Sequence, residues 1–494
     1  MIELAIDHGT VITMDPERRV LIGGSVGIDG RRIVAVEPSP DRLPEARRRI
    51  DATGKIVLPG IVDTHGHAGH SLTRGLGEGL DDGWAEIVET IYFDASDERF
   101  WRAESHVAAL ERMRFGVTTS LSMTGSSPRV DDPRYAVAAA SGYDALGLRH
   151  IVATGPPNGP WPRHYTDHRE PDHPRPVTID LEQALRVTDA CAEAIAALGN
   201  DRISFVVGPS AISPSTATDD EIARAQIAGV KRIMERRGAG LHSHAYRGLI
   251  RAAHAIDPEL LGPWCCLAHC AGIEPDEIET LAATGASASS GPLTHAFALD
   301  RFPLIEALEA GVNVAFSTDG SAPDRSFDLL DQARIGVQLQ RAHFADTSLL
   351  PAGRVLAMIT IDAARALGLD REIGSLEPGK RADIIIVNAR AAHLVPAILV
   401  PLRLVGHASG HDVETVLVDG EIMMAGRVVS GVDETAILDE AEDAFAETYT
   451  RSGLGDAEWL HPDSWTGIRY GPVSSLGEER RVHMELNGRG AGPQ

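Results

Sequence analysis

The feature that most constrains the fold is a long alternation of short apolar segments with amphipathic helical ones across residues 59–369. Short apolar runs bounded by turn residues are typical of strands, and apolar residues recurring with a period near 3.6 are typical of helices. Eight candidate strands occur, at 61–65, 117–123, 150–154, 203–207, 240–244, 265–269, 286–289 and 312–317. Candidate helices lie between or after them, including 219–237, 275–283, 327–343 and 354–367.

This order predicts an α/β fold in which the strands and helices form a TIM-like (β/α)₈ barrel. A doubly wound sheet is the alternative, but such a sheet would not bring many strand ends to one point. Both ends of the chain are rich in short β segments, and we expect them to pair into a composite β-sandwich domain. The predicted units are the N-terminal part of the sandwich, the barrel, the C-terminal part of the sandwich and a tail with one acidic helix, at 1–58, 59–369, 370–430 and 431–494.

One long barrel loop, residues 155–180, is rich in Pro, His and charged residues. A loop of this length is either a lid or substrate wall, or a surface excursion without a role in the site. The sequence leaves both alternatives open.

Charge, terminal sequence and cysteine content together narrow the class of function. The chain has 46 basic and 71 acidic residues and a net charge of −25, which disfavours nucleic acid and anionic membranes as partners. The first residues show no basic and apolar leader, and no apolar run is long enough to span a membrane. Four cysteines do not form a disulfide framework in a chain of 494 residues. We therefore expect a cytoplasmic enzyme that acts on a small molecule.

The most informative motif is VLPGIVDTHGH, which ends in His65-Gly66-His67. Side chains of a strand alternate between its two faces, so we expect His65 and His67 to point the same way. Two imidazoles at one strand end can bind one divalent cation, and Gly66 leaves room for it. This motif alone is weak, and its value depends on ligands from later strands.

Three later strands carry side chains that can reach the same point. GAGLHSHAYRG places His244 at a strand end with His242 one layer deeper, LAHC places His269, and VAFSTDG places Asp319. Barrel enzymes hold their chemistry at the carboxyl ends of the strands. Three histidines and one carboxylate suit zinc or a similar divalent metal and leave a position for water. The predicted metal ligands are His65, His67, His244 and Asp319.

A divalent metal lowers the pKa of its water from about 16 toward roughly 7. Asp319 can also accept a proton from that water, and His269 can orient or polarise the substrate. Three cysteines flank His269. Alternation puts Cys265 on the face of His269 and Cys266 and Cys270 on the opposite face, so we expect them to pack in the strand rather than to act as thiolates.

These segments, together with LAHCAGIEPDEIETLAATGAS and GSLEPGKRADIIIVN, resemble the successive signatures of the amidohydrolase superfamily. The chain is most similar to the branch of cytosine and S-adenosylhomocysteine deaminases and triazine chlorohydrolases. The resemblance implies a metal-dependent hydrolase of carbon–nitrogen bonds and, since homo-oligomers are common in this family, a homo-oligomer. It also implies that the four predicted ligands bind the metal and that His269 lies beside the metal's water.

One departure from the deaminase pattern matters most. Deaminases of this branch carry a glutamate three residues after the histidine that matches His244, and here that residue is Arg247, preceded by Tyr246. Arginine stays cationic and cannot shuttle protons to a ring nitrogen. Both side chains can instead donate hydrogen bonds to a carbonyl oxygen, so Tyr246 and Arg247 are predicted catalytic residues beside Asp319 and His269. No lysine lies near the fourth strand to bridge two metals, which favours a mononuclear site.

The segments HGHAGHSLTRGLGEG and HSHAYRG are also similar to molinate hydrolase and phenylurea hydrolase, which degrade xenobiotics. The leading hypothesis is therefore hydrolysis of a non-ring carbon–nitrogen bond in an amide, carbamate, thiocarbamate or phenylurea. One alternative is an aminohydrolase, deaminase or dehalogenase of a heteroaromatic ring, and another is a non-catalytic scaffold. His70 and His295 are predicted to contact the substrate. We expect one metal ion per chain, zinc first, with cobalt, manganese or iron as alternatives.

Overall fold

The computed structural model describes residues 1–77, 83–170, 173–297 and 301–454. The first five strands form the N-terminal β region: β1 (Ile2–Ile12), β2 (Val20–Asp29), β3 (Arg32–Glu37), β4 (Ala46–Asp51) and β5 (Lys55–Pro59). The middle of the chain supplies eleven more: β6 (Ile61–Asp63), β7 (His67–Ala68), β8 (Val117–Thr124), β9 (Arg149–Thr154), β10 (Arg163–Asp167), β11 (Arg175–Ile179), β12 (Ile203–Val207), β13 (Leu241–Tyr246), β14 (Cys265–Ala271), β15 (Ser287–Ser290) and β16 (Val314–Phe316). The last four are β17 (Ile384–Asn388), β18 (Val413–Val418), β19 (Glu421–Ala425) and β20 (Val428–Val429).

The helices follow the strands in the order that the sequence predicts. They are α1 (Gly83–Glu89), α2 (Glu98–Arg114), α3 (Arg134–Leu146), α4 (Leu181–Ala196), α5 (Glu221–Arg237), α6 (Leu249–Ile256), α7 (Pro275–Thr284), α8 (Pro292–Phe297), α9 (Leu304–Glu309), α10 (Leu329–Phe344), α11 (Ala352–Met358), α12 (Ile361–Ala366), α13 (Val400–His407) and α14 (Glu434–Ser452). Short 3₁₀ segments lie at Pro40–Arg42, His70–Leu72 and Gly410–Asp412, and a π-helical turn at Thr90–Ala95.

The helix ends show why these segments are helical. The Asp220 carboxylate accepts hydrogen bonds from the first amides of α5, and Gly238 ends that helix with a left-handed φ of 61°. The predicted single helix at 354–367 is instead two helices, α11 and α12. The break leaves the carbonyl of Ile359 free to accept a hydrogen bond from the amide of Val62 in β6 (3.0 Å).

The barrel prediction is confirmed. Parallel pairing gives the strand order β6-β8-β9-β12-β13-β14-β15-β16, with β7 also paired to β8. Within the part of the chain that the structure describes, no strand ladder joins β6 to β16. The barrel therefore has a seam between its first and last strands, and side chains and loop backbone close it.

The two ends of the chain form one composite β unit, as the sequence predicts. Its strands are hydrogen-bonded in the order β20-β19-β18-β17-β5-β1-β2-β3, with β4 beside β1. Antiparallel pairing of β5 with β17 joins the N-terminal and C-terminal parts. Apolar side chains from both parts share one buried cluster, which includes Ile6, Val26, Ile384 and Leu417.

Residues 155–180 contain a β-hairpin made of β10 and β11. Its Tyr165 is buried against Phe93, at a ring distance of 5.0 Å, and Arg129 donates a hydrogen bond to the carbonyl of Thr166. The hairpin thus packs on the segment around α1 rather than extending into solvent. The predicted acidic helix of the tail is α14, and the predicted irregular segment beyond residue 454 lies outside the described residues.

Within the described ranges, none of the helices combines the length and the apolar character that crossing a bilayer requires.

Candidate metal centre

His65 and His67 lie just past the end of β6, on either side of Gly66. The carbonyl of His65 accepts a hydrogen bond from the amide of Asp319 (3.0 Å), so the loop after β16 lies directly beside the histidine pair. His244 comes from β13, and all four side chains are buried. The carboxyl ends of β6, β13 and β16 therefore bring the four predicted ligands together.

Three of the distances between these ligand atoms are close to those around a single metal ion. Asp319 Oδ1 lies 3.2 Å from His65 Nε2 and 3.0 Å from His67 Nε2, and His67 Nε2 lies 3.3 Å from His244 Nε2. Ligand atoms placed tetrahedrally around zinc at its usual bond lengths are about 3.3 Å apart. Among the described residues, His65 Nε2 and Asp319 Oδ1 have no hydrogen-bond partner of acceptable geometry, although both are buried. Buried polar atoms without partners are costly, so the donor set fits a bound cation.

The second nitrogen of each histidine is held by a neighbouring acceptor. His67 Nδ1 donates to the carbonyl of Gly125 (2.9 Å), and His244 Nδ1 donates to the carbonyl of Ser210. His65 Nδ1 lies 2.8 Å from Nε2 of His242. A proton on each Nδ1 leaves the Nε2 lone pairs directed toward one another, as metal ligation requires.

The remaining oxygen of Asp319 is also fixed. Thr294 Oγ1 donates a hydrogen bond to Asp319 Oδ2 (2.7 Å), and Arg325 Nη1 lies 3.6 Å from the same oxygen. Asp319 itself has a positive φ of 60°, which aims its carboxylate at the histidines. The carboxylate therefore presents Oδ1 to the cluster and Oδ2 to its supports.

Electrostatics keep these groups in the protonation states that bind cations. Burial lowers the pKa of His244 to about 4 and the pKa of His65 well below its usual range, so both imidazoles are neutral near pH 7. Burial alone would raise the pKa of Asp319. The charge of Arg325 and the nearby imidazoles of His65 and His67 outweigh that effect and hold its pKa well below the usual range.

His269 reaches the centre through an unusual backbone conformation. Its ring stacks on His244 at 5.1 Å and lies 4.9 Å from His65. His269 and Cys270 have positive φ values of 66° and 50°, which interrupt the alternation of β14. The predicted faces of the cysteines were therefore wrong: Cys266 packs with Val62 of β6 and Ala315 of β16, whereas Cys265 lies with Cys270 in the large core shared with the helices.

Four further side chains were predicted to act in the site, and each lies in a different position relative to the predicted ligands. His70 is buried, stacks on His67 at 4.8 Å, and has no hydrogen-bond partner on either ring nitrogen among the described residues. His295 lies 6.3 Å from His269, and the exposed ring of Tyr246 lies 5.8 Å from it. Arg247 is exposed, and its Nε donates to the carbonyl of Gly272 (3.0 Å), so it lies at the barrel mouth. The roles of these four residues stay predictions.

The sequence analysis missed the residues that support the ligands, namely Thr294, Arg325, Asp63 and Arg112. Thr294 and Arg325 follow the barrel strands β15 and β16, and a position after a barrel strand is a usable signal. Asp63 and Arg112 carry none, because their partners lie far away in the chain. The chain's three lysines, Lys55, Lys231 and Lys380, all bond to groups elsewhere. No lysine is therefore placed to bridge two metals.

The sequence matches a known family along most of its length. The sequence profile of the amidohydrolase family matches residues 56–423. A 5'-deoxyadenosine deaminase of Methanosarcina mazei is 30% identical over 470 residues, which cover 91% of this chain and 99% of the relative. A 5-methylthioadenosine/S-adenosylhomocysteine deaminase of Symbiobacterium thermophilum is 32% identical over 452 residues, covering 86% of this chain and 94% of the relative.

Two solved structures share the fold. An adenosine deaminase from Xanthomonas campestris with bound zinc superposes with a TM-score of 0.78 at 22% identity, covering 91% of this chain and 99% of that one. Atrazine chlorohydrolase from Arthrobacter aurescens TC1, complexed with zinc, superposes with a TM-score of 0.72 at 22% identity, covering 90% of this chain and 100% of that one.

Proposed function

The chain belongs to the amidohydrolase family, and we propose that it uses one zinc ion to hydrolyse a carbon–nitrogen bond of a small molecule. The observation that carries this proposal is the convergence of His65, His67 and His244 with Asp319 Oδ1, in which three separations between ligand atoms, 3.2, 3.0 and 3.3 Å, suit one tetrahedral ion. The zinc-bound structures of similar fold support the choice of metal.

When bound, the metal would supply a water of lowered pKa and polarise the bond that is attacked. His65, His67, His244 and Asp319 would hold it. Asp319 accepts the proton of the attacking water, and Thr294 and Arg325 keep its carboxylate aligned. His269, stacked on His244, orients the substrate's polar atom beside the centre.

The first candidate reaction is removal of an amino group from a heteroaromatic ring. The two deaminases support it, because they are 30% and 32% identical over 91% and 86% of the chain. In this reaction ammonia leaves and the ring carbon gains a hydroxyl or oxo group.

The second candidate is hydrolysis of a non-ring bond in an amide, carbamate or phenylurea. The observation that favours it is Arg247, which is exposed at the barrel mouth and which the resemblance to deaminases matches to their glutamate. A cationic side chain there cannot pass a proton to a ring nitrogen, but it can bind a carbonyl oxygen or a carboxylate.

Product analysis with metal-depleted and zinc-reconstituted protein tests both candidates. The substrates are 5'-deoxyadenosine, an aminotriazine, a phenylurea, a thiocarbamate and a simple anilide. Zinc-dependent ammonia release from the ring compounds supports deamination, and amine release from the linear compounds supports the second candidate. Arg247→Ala should lower kcat/KM by about 10-fold if Arg247 binds substrate, with Arg251→Ala on the outer side of α6 as the control. Turnover that persists without metal, or in Asp319→Asn, would refute the metal-dependent mechanism.

A further inference from the structure

Asp63 is the last residue of β6, just before the histidine pair, and it connects the two sides of the barrel seam. Its Oδ1 accepts a hydrogen bond from the amide of Thr318 (3.0 Å), and its Oδ2 accepts one from Thr318 Oγ1 (2.6 Å). The buried carboxylate of Asp63, two residues before His65, therefore holds Thr318. Thr318 is the neighbour of the predicted ligand Asp319 on the opposite side of the seam.

A buried cation completes this connection. Arg112, on α2, directs Nη2 and Nε to Asp63 Oδ2 at 3.2 and 3.4 Å, and both side chains are fully buried. The guanidinium stacks on Phe327 at 3.6 Å and donates to the hydroxyl of Tyr143. Arg112 and Thr318 therefore present only donors to the Asp63 carboxylate.

The same guanidinium lies directly beneath the histidine pair. A Cβ at residue 66 would lie 2.3 Å from Arg112 Nη2, so a larger residue than glycine would displace the cation or the turn. A buried ion pair adds little net stability compared with apolar residues of similar size. Its value here lies in geometry, because it fixes Gly66, Asp63 and Thr318 in one arrangement.

We propose that Asp63 is a positioning residue of the metal centre: paired with Arg112, it sets Asp319 across the seam from His65 and His67. This inference rests on the proposed metal centre. The other barrel junctions are closed by backbone ladders between adjacent strands. At the seam, the Asp63 side chain adds to the backbone hydrogen bond from Asp319 to His65.

The test compares Asp63→Asn with Asp383→Asn. Asp383 is likewise buried, accepts a hydrogen bond from the amide of Asp419 (2.9 Å) and faces Arg149, but it lies at the opposite end of the strands. The readouts are the zinc dissociation constant by competition with a chromophoric chelator, the absorption spectrum of the Co²⁺-substituted protein, and the Tm. Supporting-residue changes weaken metal binding by about 10- to 100-fold.

We expect both variants to lower the Tm, but only Asp63→Asn to weaken zinc binding by about 10-fold or more and to alter the Co²⁺ spectrum. Equal zinc affinity in Asp63→Asn and wild type, or an equal loss in Asp383→Asn, would overturn the inference. If Asp63→Asn does not fold, Thr318→Val decides, because it removes one donor and keeps the ion pair: weaker zinc binding at unchanged Tm supports the proposal, and unchanged binding overturns it. Wild-type protein that binds no zinc would instead overturn the proposed function.

Discussion

His242 Nε2 lies 2.8 Å from His65 Nδ1, so a histidine one layer below the metal centre orients a histidine within it. His65 must carry its proton on Nδ1 to leave the Nε2 lone pair for a metal. His242 Nε2 then accepts the hydrogen bond that His65 Nδ1 donates. Burial lowers the pKa of His242 to about 3, which keeps its ring neutral and able to accept.

Replacing this acceptor should weaken the centre without removing a ligand. We expect His242→Phe to bind zinc about 10- to 100-fold more weakly than wild type, because His65 loses the partner that fixes its orientation. Competition with a chelator measures the effect. His254→Phe, on α6, is the control and should bind zinc normally. Normal affinity in His242→Phe would mean that the contact has no orienting role.

Metal binding should stabilise the fold. Zinc at about 100 times its dissociation constant adds roughly 2.7 kcal/mol to the free energy of unfolding, which corresponds to a Tm rise of a few degrees. Differential scanning fluorimetry of metal-depleted protein with and without zinc measures this shift. Mg²⁺ should give no shift, because imidazole ligands suit zinc better than magnesium. A zinc-dependent shift that survives in the double variant His65→Ala, His67→Ala would place the metal elsewhere.

Stability should fall in acid partly through Asp419, which joins the composite sheet to the barrel. Its buried carboxylate accepts hydrogen bonds from four arginines: Arg31, Arg149, Arg202 and Arg381. Burial opposes ionisation, but Arg149 and the other arginines outweigh it and hold the pKa of Asp419 below its usual range. Because the folded pKa is the lower one, this stabilisation is present above the unfolded pKa of about 3.9 and is lost as pH falls through the folded value.

We therefore expect Asp419→Asn to lower the free energy of unfolding at pH 7 by up to about 3–5 kcal/mol, since the four arginines lose their shared buried carboxylate and Arg149 keeps only Asp383. Urea denaturation at several pH values should show the difference from wild type shrinking below about pH 4. Asp276→Asn removes an exposed partner of Arg251 and should have a much smaller effect. A difference that is independent of pH would contradict the assigned ionisation.

The four cysteines should be unreactive in the native protein. All are free and buried, and burial raises the pKa of Cys265 to about 12 and those of the other three as well. A thiol reagent at pH 8 should label none of them before unfolding and all four after it. Asp219→Cys, at a fully exposed position, should label at once and serves as the control. Rapid labelling of a cysteine in the native protein would contradict this prediction and would indicate a reactive thiolate.

The sequence by itself determined the barrel and which four candidate ligands lie together at its strand ends. Strand periodicity is local, and parallel strands of a barrel present their carboxyl ends together, so a histidine or aspartate just past an apolar run is placed by its own neighbours. This is why His65, His67, His244 and Asp319 were brought together as expected. The β-rich ends were likewise visible, although β4 was missed because Ala46–Asp51 contains three arginines and few apolar residues.

Only the tertiary structure decided how side chains are directed beyond the strand ends. The left-handed backbone at His269 reverses the alternation that the sequence predicts, and Arg247 bonds to a carbonyl at the barrel mouth. The seam depends on Asp63 and Thr318, which are 255 residues apart in the chain. No local pattern encodes such contacts, because their geometry exists only after the first and last strands of the barrel have met.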